Sequence, residues 1–148
     1  MYSIYTDGSC SGNPGPGGYG AVILQMGKPI QELSGRSNRS TNNRMEMAAA
    51  IVALRATPTG SDIILYSDSK YVVNGASKWI YGWISRNWRT AAGKDVKNKD
   101  LWIKISSAMA LRNVQWKWVK GHAGNKWNER CDLLARGDVQ PKDYKNNT

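Results

Sequence analysis

The stretch NRMEMAAAIVALRATPTGSDIILYSDS, residues 43–69, decides how the rest of the chain is read. In its first half Met45, Ala48, Ala49 and Val52 recur at helical spacing, and Thr57, Pro58 and Gly60 then break the pattern. A helix over 43–56 is predicted. Ile63 to Ser67 is a short apolar run that Asp68 ends, which predicts a buried strand. A helix leading directly into a buried strand is the crossover that parallel strands require. Sites in such sheets form beyond the carboxyl ends of the strands, where Asp68 stands.

Upstream, Met1 to Asp7 reads as a strand and Tyr19 to Met26 as a second. Gly27-Lys28-Pro29 is predicted to turn the chain back along a third strand, Ile30 to Ser37, and GRSNRSTNNR (35–44) is predicted to be a polar loop. Between the first two strands lies YTDGSCSGNPGPGGYG (5–20), in which Asp7 is followed by six glycines and two prolines. Such glycines allow close backbone approach to a ligand; the alternative is a long glycine-rich hairpin loop.

Downstream, Ala76, Ile80 and Trp83 carry a helical pattern from Lys70, and Arg86 to Lys99 is irregular and basic. Leu101, Ile105, Ala108 and Met109 mark another helix, and Val114, Trp116 and Trp118 alternate as a strand. After the loop KGHAGNK (120–126), Trp127, Cys131 and Leu134 face one way along a last helix closed by Gly137. The polar tail from Val139 is expected to fray. The sum is one α/β domain over 1–148, a mixed sheet flanked by helices.

Net charge is +10. Between residues 70 and 120 eleven Lys or Arg face two acids, Asp95 and Asp100, with Trp79, Trp83, Trp88 and Trp102 among them. Bases interleaved with aromatics suit a nucleic-acid surface, although a solvated face would read the same way. No apolar run is long enough to span a bilayer, so no membrane partner is expected. Cys10 and Cys131 suit free thiols in a reducing compartment, and the cytoplasm is the expected location. One histidine argues against structural zinc.

Of eleven acids, four resist a surface explanation: Asp7, Glu46, Asp68 and Asp132. Each alone has a local role open to it: a turn at Asp7, a capping box at Glu46, a helix cap at Asp68, an exposed helix face at Asp132. Together they would need cations, because two carboxylates about 4 Å apart repel by roughly 4 kcal/mol at an effective dielectric near 20. All-oxygen ligation suits Mg²⁺, with Mn²⁺ possible, and a pair of such ions cleaves phosphodiesters.

YTDGSCSGNPGPGGYGAV, STNNRMEMAAAIVAL, LYSDSKYVVNG, VKNKDLW and WVKGHAGNKWNERCDLLAR, in this order, resemble bacterial type 1 ribonuclease H from about Tyr2 to Arg136. The resemblance implies the ribonuclease H-like fold, a five-stranded mixed sheet of order 3-2-1-4-5 with helices on both faces. It implies hydrolysis of the RNA strand of an RNA·DNA hybrid, leaving 5′-phosphate and 3′-hydroxyl ends. By it, Asp7 bridges two metal ions, Asp132 holds the water-activating one, and Glu46 and Asp68 hold the other. His122 matches the mobile-loop histidine that assists proton transfer or product departure. Gly8, Cys10, Asn13, Asn42 and Asn43 match minor-groove contacts, and Arg39, Thr41 and Asn98 a pocket for a DNA-strand phosphate. Trp79 and Trp83 match the DNA channel within a basic protrusion at about 78–99. Lys70 replaces an uncharged groove-facing residue, and the protrusion carries Ile84, Ser85 and Gly93 where lysines are common, so weaker hybrid affinity is expected. A monomer is expected. The competing readings are another nuclease or strand-transfer enzyme of the same fold, and a hybrid-binding module without catalysis.

Overall fold

The computed structural model describes residues 1–144. Three strands open it: β1 (Tyr2–Cys10), β2 (Gly15–Gln25) and β3 (Lys28–Ser40). Helix α1 (Asn42–Arg55) crosses over to β4 (Asp62–Ser67). A continuous helical run follows, α2 (Lys70–Asn74), a π-helical turn over Gly75–Trp79, and α3 (Ile80–Ser85). Then come α4 (Lys99–Ala110), β5 (Asn113–Trp118) and α5 (Lys126–Arg136). The sheet order is β3-β2-β1-β4-β5, antiparallel at β1/β2 and β2/β3, parallel at β1/β4 and β4/β5.

The crossover helix forms as its composition predicts. Thr41 caps it by accepting from the Arg44 N–H at 3.2 Å. At its far end Thr57 donates to the Leu54 carbonyl at 2.7 Å, and Arg112 binds the Thr57 carbonyl from the start of β5. The predicted one-sided face is displaced, however: Met45 and Ala49 are buried as expected, whereas Ala48 and Val52 are only half-buried. Met45, Met47, Ala49, Ala50, Ile51, Ala53 and Leu54 are all buried, because α1 lies between the sheet and α4. Small residues at so many positions let both neighbours approach.

Strand alternation sorts the core into two layers. Ala21 and Ile23 of β2 face α1 and α4, together with Ile4, Leu65 and the fully buried Trp102. Val22 and Leu24 point the other way, onto Cys131 and Leu134 of α5. Each large side chain so buried contributes roughly 1.5–3 kcal/mol.

Four boundary expectations are corrected. The hairpin turns at Met26 and Gly27, both with positive φ, so Lys28 and Pro29 already belong to β3. The predicted polar loop at 35–44 is strand through Ser40, because β3 stays paired to β2 as far as Gly15↔Ser40. The glycine-rich segment is likewise mostly strand, β2 beginning at Gly15.

The fourth concerns the tail, which is anchored as far as Tyr144; the rest of the predicted frayed segment, 145–148, lies outside the described residues. Buried Glu32 of β3 accepts from Arg130 Nη2 at 2.8 Å, the Lys142 N–H at 3.0 Å and the Tyr144 hydroxyl at 2.8 Å. Burial alone would raise the Glu32 pKa, but Arg130 and these two donors hold it below the usual value. A carboxyl with a depressed pKa stabilises the fold above its unfolded pKa, and that stability is lost as pH falls through the folded one. Glu32→Gln is expected to cost about 1.5–3 kcal/mol at pH 7 in urea unfolding, with the deficit shrinking as the pH drops below about 4.

Candidate active site

The parallel register of β1 and β4 ends at Thr6↔Ser67, so Asp7 and Asp68 emerge side by side just past it. Glu46 reaches the same point from the second turn of α1. That helix comes close because residue 8 is glycine: a Cβ there would run into the backbone of Met45 and Glu46. One carboxylate oxygen from each of Asp7, Glu46 and Asp68 lies within 4.8 Å of the other two. Asp7 and Glu46 are buried, at 6% and 8% exposure.

Such crowding disfavours ionisation. Burial pushes the Asp7 carboxyl up to about 7, helped by the charges of Asp68 and Asp132 and opposed by hydrogen bonds from Glu46 and the Gly8 N–H. Burial also lifts Glu46 well above the usual range, with Asp7 and Asp68 adding to it. Among the described residues Glu46 Oε2 is buried with no hydrogen-bond partner. A buried carboxylate oxygen left unsatisfied beside two other acids fits a hard, oxygen-seeking divalent cation. The donor set offers no thiolate or imidazole within the trio, which disfavours softer metals.

The fourth acid stands slightly apart. Asp132, on α5, is half-buried and ion-paired to Arg136 at 3.1 Å. Its charge reaches Asp7, but its oxygens are not within the close trio. His122 is exposed on the loop after β5, with φ of 54°. That loop touches the site through its neighbour: a Cβ on Gly121 would lie 2.9 Å from Asp68 Oδ2.

The surrounding residues predicted to bind substrate fall into three groups. The Asn13 side-chain oxygen accepts from the Asn42 N–H at 3.1 Å, joining the turn after β1 to the start of α1. Cys10, half-buried at the end of β1, donates to the Gly15 carbonyl at 3.4 Å. Asn13, Thr41, Asn42, Asn43 and Asn98 line one cleft of about 250 Å³, joined by Lys97. Arg39 does not line it; it is exposed near the end of β3. Asn98 is fixed there by Arg44 Nη1 at 3.3 Å and by its own bond to the Tyr71 hydroxyl at 3.1 Å.

Trp79 and Trp83 belong to an aromatic series that runs from the surface into the core. Trp79 is 43% exposed, its ring 6.0 Å from Trp83, which is 5.2 Å from buried Trp102. The basic segment beyond them is folded back by hydrogen bonds from the Trp88 N–H to Trp83 and the Val96 N–H to Trp88. Arg86 and Arg89 remain exposed on it. Lys70, also exposed, lies over the Trp118 ring.

Sequence reasoning missed Asn128 and Lys97. Asn128 is 3% exposed and donates to Asp68 Oδ2 at 3.4 Å. A signal existed: Asn128 lies one turn before Asp132 and three residues before Cys131, a polar residue on the inward face of α5. Lys97 carried no signal beyond the general basicity of its segment.

The chain matches the family model for RNase H over residues 1–140. It is 54% identical over 133 residues to a ribonuclease H of Idiomarina loihiensis, covering 90% of this chain and 84% of that one. Identity to a ribonuclease H of Escherichia coli is 53%, over 90% of this chain and 85% of that one. Among solved structures, LC9-RNase H1, a type 1 RNase H with the type 2 active-site motif, superposes with a TM-score of 0.81 at 30% identity, over 96% of this chain and 74% of that one. LC11-RNase H1 in complex with an RNA/DNA hybrid gives 0.68 at 25% identity, over 93% of this chain and 95% of that one.

The raised Asp7 pKa fixes a sign. A carboxyl that ionises near 3.8 when unfolded and about 7 when folded favours the fold below pH 4, and that advantage is lost as pH rises through 7. Asp7→Asn therefore stabilises the metal-free protein, by at most on the order of 4 kcal/mol. Thermal unfolding in EDTA is expected to show the gap opening between pH 4 and 7 and holding above; a gap that closes at pH 8 would refute the burial argument.

Proposed function

Since the chain belongs to the ribonuclease H family and is an endonuclease of the RNA strand of RNA·DNA hybrids, we propose that Asp7, Glu46, Asp68 and Asp132 hold its metal, as two Mg²⁺ ions when substrate is bound. The observation that carries this assignment is the crowded trio with its unsatisfied buried Glu46 oxygen. When bound, such an ion pair activates water and stabilises the departing oxygen of the phosphodiester.

The chain's own residues do the rest. Asp7, just past the last β1/β4 pair and within 4.8 Å of both Glu46 and Asp68, would hold the metal together with them. Asp132, ion-paired to Arg136 at 3.1 Å, would be the fourth acid to hold the metal. Asn128 holds Asp68 Oδ2 in place, and the missing side chain of Gly121 leaves room for it. His122, exposed on its loop, passes protons between the site and solvent.

Hybrid selection follows from the two flanks. Asn13, Asn42 and Asn43, with Cys10 and the Gly8 backbone, meet the wide A-like minor groove and its 2′-hydroxyls. Thr41, Asn98 and Lys97 accept a phosphate of the DNA strand in the cleft, and Arg39, exposed near the end of β3, adds its charge from outside it. Trp79, Trp83 and the bases of 78–99 guide that strand further, the role of the basic protrusion within a single domain. Contacts of this kind ignore base identity, so cleavage is nearly independent of sequence. The chain acts as a monomer. No helix among the described residues is long and apolar enough to cross a membrane, and a cytoplasmic setting matches its free thiols.

Incubation of labelled hybrid, RNA duplex, DNA duplex and single-stranded RNA, each with Mg²⁺ or with chelator, tests the reading. Only the hybrid with Mg²⁺ is expected to be cut, giving 5′-phosphate ends. Asp68→Asn is expected to abolish cleavage while hybrid binding persists; near-normal turnover would sink the metal assignment.

His122→Ala is expected to slow turnover by up to about 10²–10⁴-fold without eliminating it, since imidazole acts only as a proton carrier. Loss of bound metal in this variant, read by calorimetry, would make His122 a ligand and redraw the site.

A further inference from the structure

Lys70 opens α2 two residues after Asp68, and its side chain turns toward β5. Its Nζ lies 4.8 Å from the centroid of the Trp118 ring. Trp118 ends β5 with 45% of its surface exposed, and its Nε1 donates to the Asp68 carbonyl at 3.0 Å. Ammonium, indole and the backbone of a site acid thus form one connected unit. Among the described residues no carboxylate lies within ion-pairing distance of Lys70, so its charge faces outward unneutralised. Lys117 and Lys120, both exposed, flank the same strand end.

The sheet order sets which part of a duplex this unit meets. Asp7 and Asp68 stand on adjacent central strands, β1 and β4. The cleft with Asn13, Thr41 and Asn98 lies to one side, at the start of α1 and α4. Trp118, on the edge strand β5, lies to the other. A duplex with one strand across the acids and its partner in the cleft carries the backbone of the first strand toward β5. An ammonium is a compact point charge suited to phosphate, and the ring face beneath it limits the directions it samples.

We propose that Lys70, seated on Trp118, is a substrate-positioning residue that contacts a phosphate of the cleaved RNA strand on the β5 flank of the acids. This rests on the hybrid-cleavage reading and extends it to a contact on the strand that is cut. The lysine replaces groove contact with backbone contact at this position, and so offsets part of the charge missing from the protrusion.

The test is hybrid binding in EDTA over a salt series, with steady-state cleavage in Mg²⁺, for wild type, Lys70→Gln, Trp118→Ala and Trp118→Phe. Lys70→Gln is expected to flatten the plot of log K against log salt by about 0.9, the signature of one lost phosphate contact, and to raise KM more than it lowers kcat. Trp118→Ala is expected to lose the same slope and Trp118→Phe, which keeps an aromatic face, to retain most of it. Uncharged methylphosphonate linkages near the cut in the RNA strand are expected to erase the difference between wild type and Lys70→Gln, whereas the same linkages in the DNA strand leave it. An unchanged slope, or a difference erased only by DNA-strand linkages, overturns the proposal while leaving hybrid cleavage standing. A wild type that binds the hybrid yet never cuts it with Mg²⁺ overturns the functional reading, and this inference with it.

Discussion

Three carboxylates within 4.8 Å of one another repel, and the molecule must hold them there before any cation arrives. The rest of the architecture supplies that force. Parallel pairing fixes Asp7 and Asp68 at adjacent strand ends, and the Gly8 contact presses α1, with Glu46, down onto them. Neither strand nor helix can retreat without exposing the layer of Ile4, Met47, Ala50 and Leu65. Hydrophobic burial therefore offsets an electrostatic penalty concentrated at one edge of the sheet. Protonation relieves part of it near neutral pH, and divalent cations relieve more.

The second helical layer obeys the same economy of space. Gly20 pairs with Asp7 across β1 and β2, and a Cβ on it would lie 2.5 Å from the Cys131 carbonyl. Close seating of α5 on β2 brings Asn128 and Asp132 to the acids from the opposite face. The glycines after Asp7 thus serve helix-to-sheet contact more than ligand approach. Conformation alone does not distinguish these uses in a sequence, because both need a missing side chain.

Periodic segments were legible from sequence because their signal is local. The crossover helix at 43–56 and the strand ending at Ser67 fall within a residue or two of their observed limits. The motifs resembling ribonuclease H carried the strand order and named three acids that do converge. What escaped depends on partners far along the chain. Polar β3 residues 38–40 looked like loop because pairing with β2 holds them, not their own composition. The tail looked frayed because Glu32, more than a hundred residues earlier, supplies its anchor. Asp132 reads as a full member of the acid set in the motif, whereas its ion pair with Arg136 draws it aside.

The helical run from Lys70 to Ser85 is interrupted by a π-helical turn at Gly75–Trp79. A π turn amounts to one residue more than an α-helix of the same rise requires. Gly75 is the residue that makes room there, since a Cβ on it would strike the Trp102 ring. Deleting a single residue from this turn would restore the α-helical hydrogen-bond pattern and leave the helix beyond it close to its present bearing, because the wider turn absorbs the extra residue. Trp83 and the bases beyond would keep their direction and the acids theirs, and the change would fall on the seat of the turn over Trp102. Chain length at this one turn is thus an evolutionary variable separate from the chemistry: a codon gained or lost there is taken up by the turn itself, with no substitution in the active site and no re-aiming of the helix beyond it.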